Sequence, residues 1–168
     1  MFFKKELPDM LEEILPAVVQ IVTATGQGTG FVVQENGLIV TNRHVVGYNP
    51  FVEVKTNEDK KYYGQLIASN PHIDTALLYV NKDFKQTLKL VDSSNARLGE
   101  PVVAVGHPYN YNYSVHQGII SSIGRKDVGP LFKNVKFLQL DMGINPGNSG
   151  GPLIRRKTGE VIGMITLG

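Results

Sequence analysis

The stretch INPGNSGGP, residues 144–152, surrounds the hydroxyl group of Ser149 with three glycines, two prolines and two asparagines. Glycine reaches backbone angles that other residues avoid, and proline removes a backbone hydrogen-bond donor. The composition predicts a tight loop whose unpaired N–H groups surround the serine, as an oxyanion pocket beside a nucleophile requires. An ordinary surface turn has the same composition, so the residues elsewhere in the chain must decide between the two.

A serine hydroxyl is a weak nucleophile that needs a base, usually a histidine oriented by a carboxylate. His44 directly follows the apolar run GLIVT at 37–41, where the end of a strand would present an imidazole in a polar turn. Asp74 directly precedes the run TALLYV at 75–80, which we expect to be a strand buried on both faces. A carboxylate there is costly unless it is paired. Taken singly, the two residues have structural alternatives, a histidine hydrogen-bonded in a turn and an aspartate that caps the start of a strand.

One amphipathic helix is expected at residues 7–15, where Leu7, Leu11, Ile14 and Leu15 recur at helical spacing. Beyond it, short apolar runs between turn residues predict an all-β protein of six strands, a linker and five further strands. Hairpin signals between the runs favour two antiparallel barrels. The expected strands are 17–24, 30–34, 37–41, 52–55, 62–69, 75–80, 101–106, 113–123, 135–141, 152–154 and 161–167.

These runs divide the chain into four expected parts. They are an N-terminal helical segment at 1–16, a first β-barrel at 17–85, an inter-barrel linker at 86–100 and a second β-barrel at 101–168.

The composition of the 168 residues, with 42% hydrophobic and 19% charged, is that of a soluble globular protein. A net charge of +2 with scattered basic pairs argues against a nucleic-acid partner. The chain has no cysteine, which excludes disulfides and thiolate metal sites. No apolar stretch has the length of a signal peptide or a membrane span. We therefore expect a cytoplasmic location if the chain is complete, and a periplasmic or secreted one if it belongs to a longer precursor.

The glycine-rich segment GQGTG at 26–30 is similar to a phosphate-binding loop, but a strand follows it where a helix would be needed. A dinucleotide site is excluded on that context.

Together, these motifs resemble the chymotrypsin-fold serine proteases, most closely the protease domain of the HtrA (Deg) branch. The chain order of His44, Asp74 and Ser149 is the order of that fold, with the first two in the first barrel and the serine in the second. The similar segments are GQGTGFVV (26–33), LIVTNRHVV (38–46), DTALLYV (74–80), residues 102–125, LDMGINPGNSGGPLI (140–154) and GEVIGMIT (159–166).

The resemblance implies roles for individual residues. The implied catalytic triad is His44, Asp74 and Ser149. The implied oxyanion hole is formed by the segment of Gly147, Asn148 and Ser149, and the walls of the substrate pocket by Met142, Gly143, Ile144 and Thr166. Because these walls are uncharged and Ile144 would narrow the pocket, small to medium aliphatic residues are expected before the scissile bond. No cofactor or metal is expected, since the remaining histidines form no metal set with His44; they are His72, taken as a surface residue, His107 and His116.

The expected function is hydrolysis of unfolded or misfolded polypeptides through an acyl-enzyme. Two alternatives are a trypsin-fold module that has lost turnover and binds peptides or proteins, and a scaffold role. HtrA relatives trimerise through aromatic N-terminal residues, so the adjacent Phe2 and Phe3 predict packing on the barrels or on another subunit. A frayed terminus is the alternative.

The family's second barrel closes with six strands, whereas five are counted here. Residues 161–167 are therefore expected to present an exposed apolar edge. A longer polypeptide, a strand from another subunit or ligand, or a local rearrangement of the barrel would each account for the missing strand.

Overall fold

A computed structural model describes residues 5–109, 112–125, 137–141 and 148–166, and antiparallel strands dominate them. Helix α1 covers Leu7–Ile14 and continues into a 3-10 turn at Leu15–Ala17; a one-turn helix, α2, covers Arg43–Val46. The strands are β1 Val18–Thr23, β2 Gly26–Gln34, β3 Leu38–Asn42, β4 Phe51–Lys55, β5 Lys61–Asn70, β6 Thr75–Tyr79, β7 Pro101–Tyr109, β8 Asn112–Arg125, β9 Phe137–Asp141, β10 Pro152–Arg155 and β11 Val161–Met164. The predicted helix and the eleven predicted strands are confirmed, with bounds that differ by a few residues.

Strands β1 to β6 form a closed barrel in the order β1-β2-β3-β6-β5-β4. The barrel closes where β4 pairs with β1, with Gln20 opposite Lys55. Closure leaves no unpaired edge in this half, and its interior is filled by large apolar side chains. The largest of them that are fully buried are Ile21, Phe31, Ile39 and Leu78. The predicted first barrel is thereby confirmed.

Strands β7 to β11 form a five-stranded antiparallel sheet in the order β11-β10-β7-β8-β9. Its own apolar cluster is small and includes Val102, Ala104, Ile120, Leu153 and Ile162. The all-β class and the number of strands in this half agree with the sequence.

The two halves share a core along β7. Val103 and Val105 point the other way from Ala104 and belong to the apolar cluster of the first barrel. The Tyr113 hydroxyl of β8 donates a hydrogen bond of 2.7 Å to the carbonyl of Leu15. The relative position of the halves is therefore fixed by both apolar packing and a polar contact.

Helix α1 packs on the barrel through Met10 and Ile14, which are both buried, while Leu7 and Leu11 are partly buried beside them. Met10 was not among the expected apolar positions, although it lies three residues after Leu7 and four before Ile14 and so shares their face of the helix. Phe2 and Phe3 lie outside the described residues. Neither described helix is long and apolar enough to cross a membrane.

The expectation that β6 is buried on both faces is wrong. Ala76 and Leu78 face the core, whereas Thr75 and Leu77 are half-buried and Tyr79 is exposed. A strand in the wall of an antiparallel barrel has one face on the core and the other toward solvent. The apolar composition of 75–80 concealed that alternation.

The expected exposed apolar edge at 161–167 is covered at its start, at Val161. The Val161 N–H donates to the Lys89 carbonyl at 2.8 Å, and the Val91 N–H donates to the Val161 carbonyl at 2.9 Å. The side chains of Val161, Ile162 and Ile165 are buried. Linker residues thus cover the start of β11, a contact that the linker's polar composition did not indicate.

Candidate active site

Asp74 is buried directly before β6 and holds His44 by two hydrogen bonds. Its Oδ2 atom lies 2.5 Å from the Nδ1 atom of the His44 ring, and its Oδ1 atom accepts the His44 backbone N–H at 2.8 Å. Asp74 has a φ of +52°, which is uncommon for a residue other than glycine. Such a conformation persists where the surroundings fix it, and the paired contacts to His44 do so here. The pairing expected for this carboxylate is therefore present.

Helix α2 positions the His44 ring, and Asp74 caps this helix. The free N–H groups of a first helical turn need acceptors. The Asp74 carbonyl accepts the N–H of Arg43 at 3.1 Å, and its carboxylate accepts the next one. The Asn42 side chain donates to the same carbonyl at 3.0 Å. The sequence predicted a polar turn at His44, whereas the structure has a short helix. The helix could not be predicted locally because its capping residue, Asp74, lies 30 positions further along the chain.

Ser149 lies in a turn before β10 and is half-buried. Its carbonyl accepts the N–H of Thr29 from β2 at 2.9 Å, and the N–H of Gly150 donates to the Ile165 carbonyl at 2.8 Å. Gly150 has a φ of +90°, and a side chain there would collide with the Thr29 carbonyl. A glycine after the serine is thus required both by the backbone angle and by space.

Gly28 brings the histidine and the serine to one side of β2. A Cβ atom at Gly28 would lie 2.8 Å from both terminal methyl groups of Val45, the neighbour of His44, and 3.0 Å from the Ser149 carbonyl oxygen. The helix that carries His44 and the turn that carries Ser149 therefore approach each other across this glycine. Among the described residues, the His44 ring has a hydrogen bond with Asp74 and none with the Ser149 hydroxyl.

Two of the three residues predicted for the oxyanion hole can be located. Asn148 is fully buried, and its side chain lies so close to Gly106 that any side chain at 106 would collide with it. Neither polar atom of the Asn148 amide has a hydrogen-bond partner among the described residues. Gly147 lies outside them.

The predicted substrate pocket is described only at Thr166, because Met142, Gly143 and Ile144 lie outside the described residues. Thr166 lies beyond the end of β11, whereas the sequence predicted a strand at 161–167 that includes it. Its hydroxyl accepts a hydrogen bond of 3.4 Å from Asn42. Thr166 is thus beside the residue that supports Asp74.

The remaining histidines occupy three different environments. His72 is exposed, as predicted. The His116 Nε2 atom lies 2.8 Å from the Ser114 hydroxyl. His107 is buried on β7 with its ring against Tyr113 at 4.5 Å between centroids, and burial lowers its pKa below the ordinary value. No local sequence pattern indicates this burial, because it results from the packing of β7 on the first barrel.

A six-stranded barrel joined to a second antiparallel sheet, with the serine and the histidine–aspartate pair supplied by different halves, defines a class of protein: the serine proteases of the trypsin fold. The chain belongs to the trypsin-like peptidase family, whose family model, described as "Trypsin-like peptidase domain", matches residues 28–164.

Relatives and solved structures confirm the resemblance to the HtrA and Deg branch. A "probable periplasmic serine endoprotease DegP-like" of Pseudomonas putida (strain F1) is 36% identical over 163 residues, which are 97% of this chain and 33% of the relative. One from Halomonas elongata is 41% identical over 137 residues, which are 82% of this chain and 28% of the relative. The chain thus spans about a third of the length of the curated relatives it matches.

The structures described as "HtrA-type protease AlgW with decapeptide" and "HtrA-type protease AlgW with tripeptide" each superpose with a TM-score of 0.85. Their sequence identities are 26% and 30%, over 97% and 95% of this chain and 59% and 54% of the respective neighbour.

Proposed function

We propose that this chain is a serine endopeptidase in which Ser149 is the nucleophile, His44 the general base and then acid, and Asp74 the residue that orients the imidazole. The observation that carries the proposal is the two-point contact of Asp74 with the ring and the backbone of His44. A carboxylate at Nδ1 keeps the proton on that nitrogen and leaves Nε2 free to accept one.

In the proposed reaction, Ser149 Oγ attacks the carbonyl carbon of the scissile peptide bond while Nε2 of His44 takes the hydroxyl proton. The C–N bond then breaks, the proton passes from Nε2 to the leaving amine, and an acyl-enzyme on Ser149 remains. Water, deprotonated by the same nitrogen, releases the acid and restores the serine. The N–H groups of Gly147 and Ser149, with Asn148 between them, would stabilise the negatively charged oxygen. Loss of one such donor lowers kcat about 100- to 1,000-fold in a related site.

The proposed substrates are unfolded or misfolded polypeptides with small or medium aliphatic residues before the scissile bond. The uncharged residues assigned to the pocket, Met142, Gly143, Ile144 and Thr166, support this preference. They offer no counter-charge for Lys or Arg. The curated relatives are named endoproteases, and the solved neighbours are named as HtrA-type proteases with peptides.

For the location of the protein we propose the periplasm, as the names of the relatives indicate. For its assembly we propose a homo-oligomer in which the N-terminal segment with Phe2 and Phe3 contacts another subunit.

Cleavage of an unfolded protein such as casein tests the proposed function. The wild-type chain should cleave casein, whereas Ser149→Ala and His44→Ala should abolish cleavage while their thermal unfolding remains cooperative. Substantial turnover in either variant would refute the assignment. Binding of casein by the wild-type chain without cleavage would favour the alternative of a module that has kept the fold and lost turnover.

A further inference from the structure

The glycine-rich segment at 26–30 lies within β2 and has no part in the reaction just proposed. We propose that Gly28 of this segment is a positioning residue that sets the separation between the His44 helix and the Ser149 turn. This inference rests on the proposed function, because it concerns the distance between the proposed base and the proposed nucleophile.

The space at Gly28 is filled from two sides. A Cβ atom there would approach both methyl groups of Val45 to 2.8 Å and the Ser149 carbonyl oxygen to 3.0 Å. The first distance is shorter than real Cβ contacts and the second is at their lower limit. Gly28 does not have a left-handed φ, so an alanine is opposed here by these two neighbours and not by backbone strain.

The turn that carries Ser149 is held against β2 by backbone hydrogen bonds. The Ser149 carbonyl accepts the N–H of Thr29 at 2.9 Å, and the Thr29 carbonyl accepts the Thr41 hydroxyl at 2.7 Å. Thr29 and Thr41 are both fully buried. The ladder between β1 and β2 pairs Gly28 with Ile21. The strand therefore cannot bend away from an added methyl group without breaking buried hydrogen bonds.

The helix on the other side of Gly28, which carries His44, is short and has little freedom to move. Helix α2 has four residues, and Val45 directly follows His44 within it. A β-branched side chain such as valine has few alternative rotamers, so pressure on its methyl groups is transmitted to the backbone of this one turn. A methyl group at position 28 would thus force the His44 helix and the Ser149 turn apart.

Catalysis is sensitive to such a displacement. A misplacement of about 1 Å between reacting groups can lower the rate about 100-fold. Because the described residues nearest to a Cβ atom at Gly28 are Val45, next to the proposed base, and Ser149, the proposed nucleophile, we expect the change to lower kcat and to leave KM unchanged.

The test compares Gly28→Ala with a matched control, Gly26→Ala. Gly26 begins the same strand, and a Cβ atom there would meet no atom of the described residues within 4 Å. The readouts are kcat and KM on an aliphatic peptide substrate and the melting temperature of each variant. We expect Gly28→Ala to lower kcat roughly tenfold to 100-fold at unchanged KM, and Gly26→Ala to retain wild-type kcat.

A second pair of variants separates positioning from a general loss of stability. Val45→Ala removes the two methyl groups that an alanine at 28 would meet. If pressure on the His44 helix is the cause, adding Gly28→Ala should cost less in the Val45→Ala background than in the wild type, which is a measurable coupling. Should Gly28→Ala alone fail to fold, the comparison is between Val45→Ala and the double variant, where the remaining contact with the Ser149 carbonyl should still lower kcat.

Wild-type kcat in Gly28→Ala, or equal losses of kcat in both backgrounds, would each overturn the inference. Where Gly28→Ala alone does not fold, equal kcat in Val45→Ala and the double variant would overturn it. These outcomes are distinct from failure of the proposed function, which would show as a wild-type chain without Ser149-dependent cleavage.

Discussion

Asp74 contacts His44 at two points, and in the proposed mechanism these contacts would fix the position and the tautomer of the ring. One carboxylate oxygen lies 2.5 Å from the ring Nδ1 atom, and the other accepts the backbone N–H of the same residue. The ring is half-exposed although its partner is buried, so the imidazole can reach a substrate while its orientation is set from the interior. Asp74 has its unusual positive φ where its carbonyl and its carboxylate accept N–H groups of the helix and its carboxylate also contacts the ring.

Asp74→Asn tests this role. The asparagine oxygen can still accept the His44 backbone N–H, but its NH₂ group then faces Nδ1 and favours the tautomer that has its proton on Nε2. That tautomer cannot accept the serine proton, so kcat should fall roughly 10,000-fold at neutral pH, with the fold retained. The measurement is kcat for hydrolysis of a peptide by the purified variant. A loss of less than about tenfold would show that this pair does not work as proposed.

His107 should make the stability of the protein depend on pH. Burial lowers its pKa, and Lys55 acts in the same direction. Because the unfolded chain binds a proton near the ordinary value of about 6.5 and the folded chain resists it, the neutral ring contributes its full stability above that pH. The contribution is lost as pH falls through the lowered folded pKa.

The free energy of unfolding in urea, measured from about pH 7.5 to about pH 5.5, should therefore decline less steeply in His107→Leu than in the wild type. The exposed His72→Gln serves as the control and should keep the wild-type slope. An unchanged slope in His107→Leu would contradict the assignment.

The residues expected to carry the chemistry could be predicted from the sequence, but those that support them could not. Asp74 and Ser149 stand out through local context, a carboxylate before an apolar run and a hydroxyl among glycines. Asn42, by contrast, acts through the carbonyl of a residue 32 positions away. Thr29, in the first barrel, donates its backbone N–H to Ser149 in the other half of the chain. No local pattern marks contacts that exist only once the two halves have met.

The positions of the strands could be predicted from the sequence, whereas the contacts that the strands make with other segments could not. Alternation and turn residues were sufficient to predict the helix and eleven strands. Helix α2 was missed because its cap is Asp74, which is distant in sequence. The covered start of β11 was missed because Lys89 and Val91 pair with it through backbone atoms, which composition does not report.

The Tyr113 hydroxyl joins β8 to the segment between α1 and β1. It donates to the Leu15 carbonyl at 2.7 Å, and the Val18 carbonyl lies 3.2 Å away as a second acceptor within reach. Burial raises the pKa of Tyr113, which favours the protonated form that can donate. Tyr113→Phe should lower the free energy of unfolding by about 1 kcal/mol. The control Tyr63→Phe, at a side chain exposed to 80%, should change it by less than about 0.5 kcal/mol. If Tyr113→Phe lowers the free energy of unfolding no more than Tyr63→Phe does, the hydrogen bond of the Tyr113 hydroxyl does not help to hold the two halves together.

At the scale of the whole molecule, the chain is a protease-type unit that corresponds to about a third of its curated relatives. If the N-terminal segment contacts another subunit, light scattering should give a mass above that of the monomer for the intact chain and the monomer mass for a chain without residues 1–6. Two monomer masses would refute the proposed assembly.

Covalent labelling of the folded chain with a fluorophosphonate, followed by mass spectrometry of its peptides, tests most directly whether Ser149 is an activated nucleophile. A nucleophile activated by a histidine reacts with such a probe, whereas an ordinary surface serine does not. We expect labelling at Ser149 alone, and loss of labelling in Ser149→Ala and His44→Ala. An unlabelled wild-type chain, or equal labelling when His44 is replaced, would contradict the role proposed for Ser149.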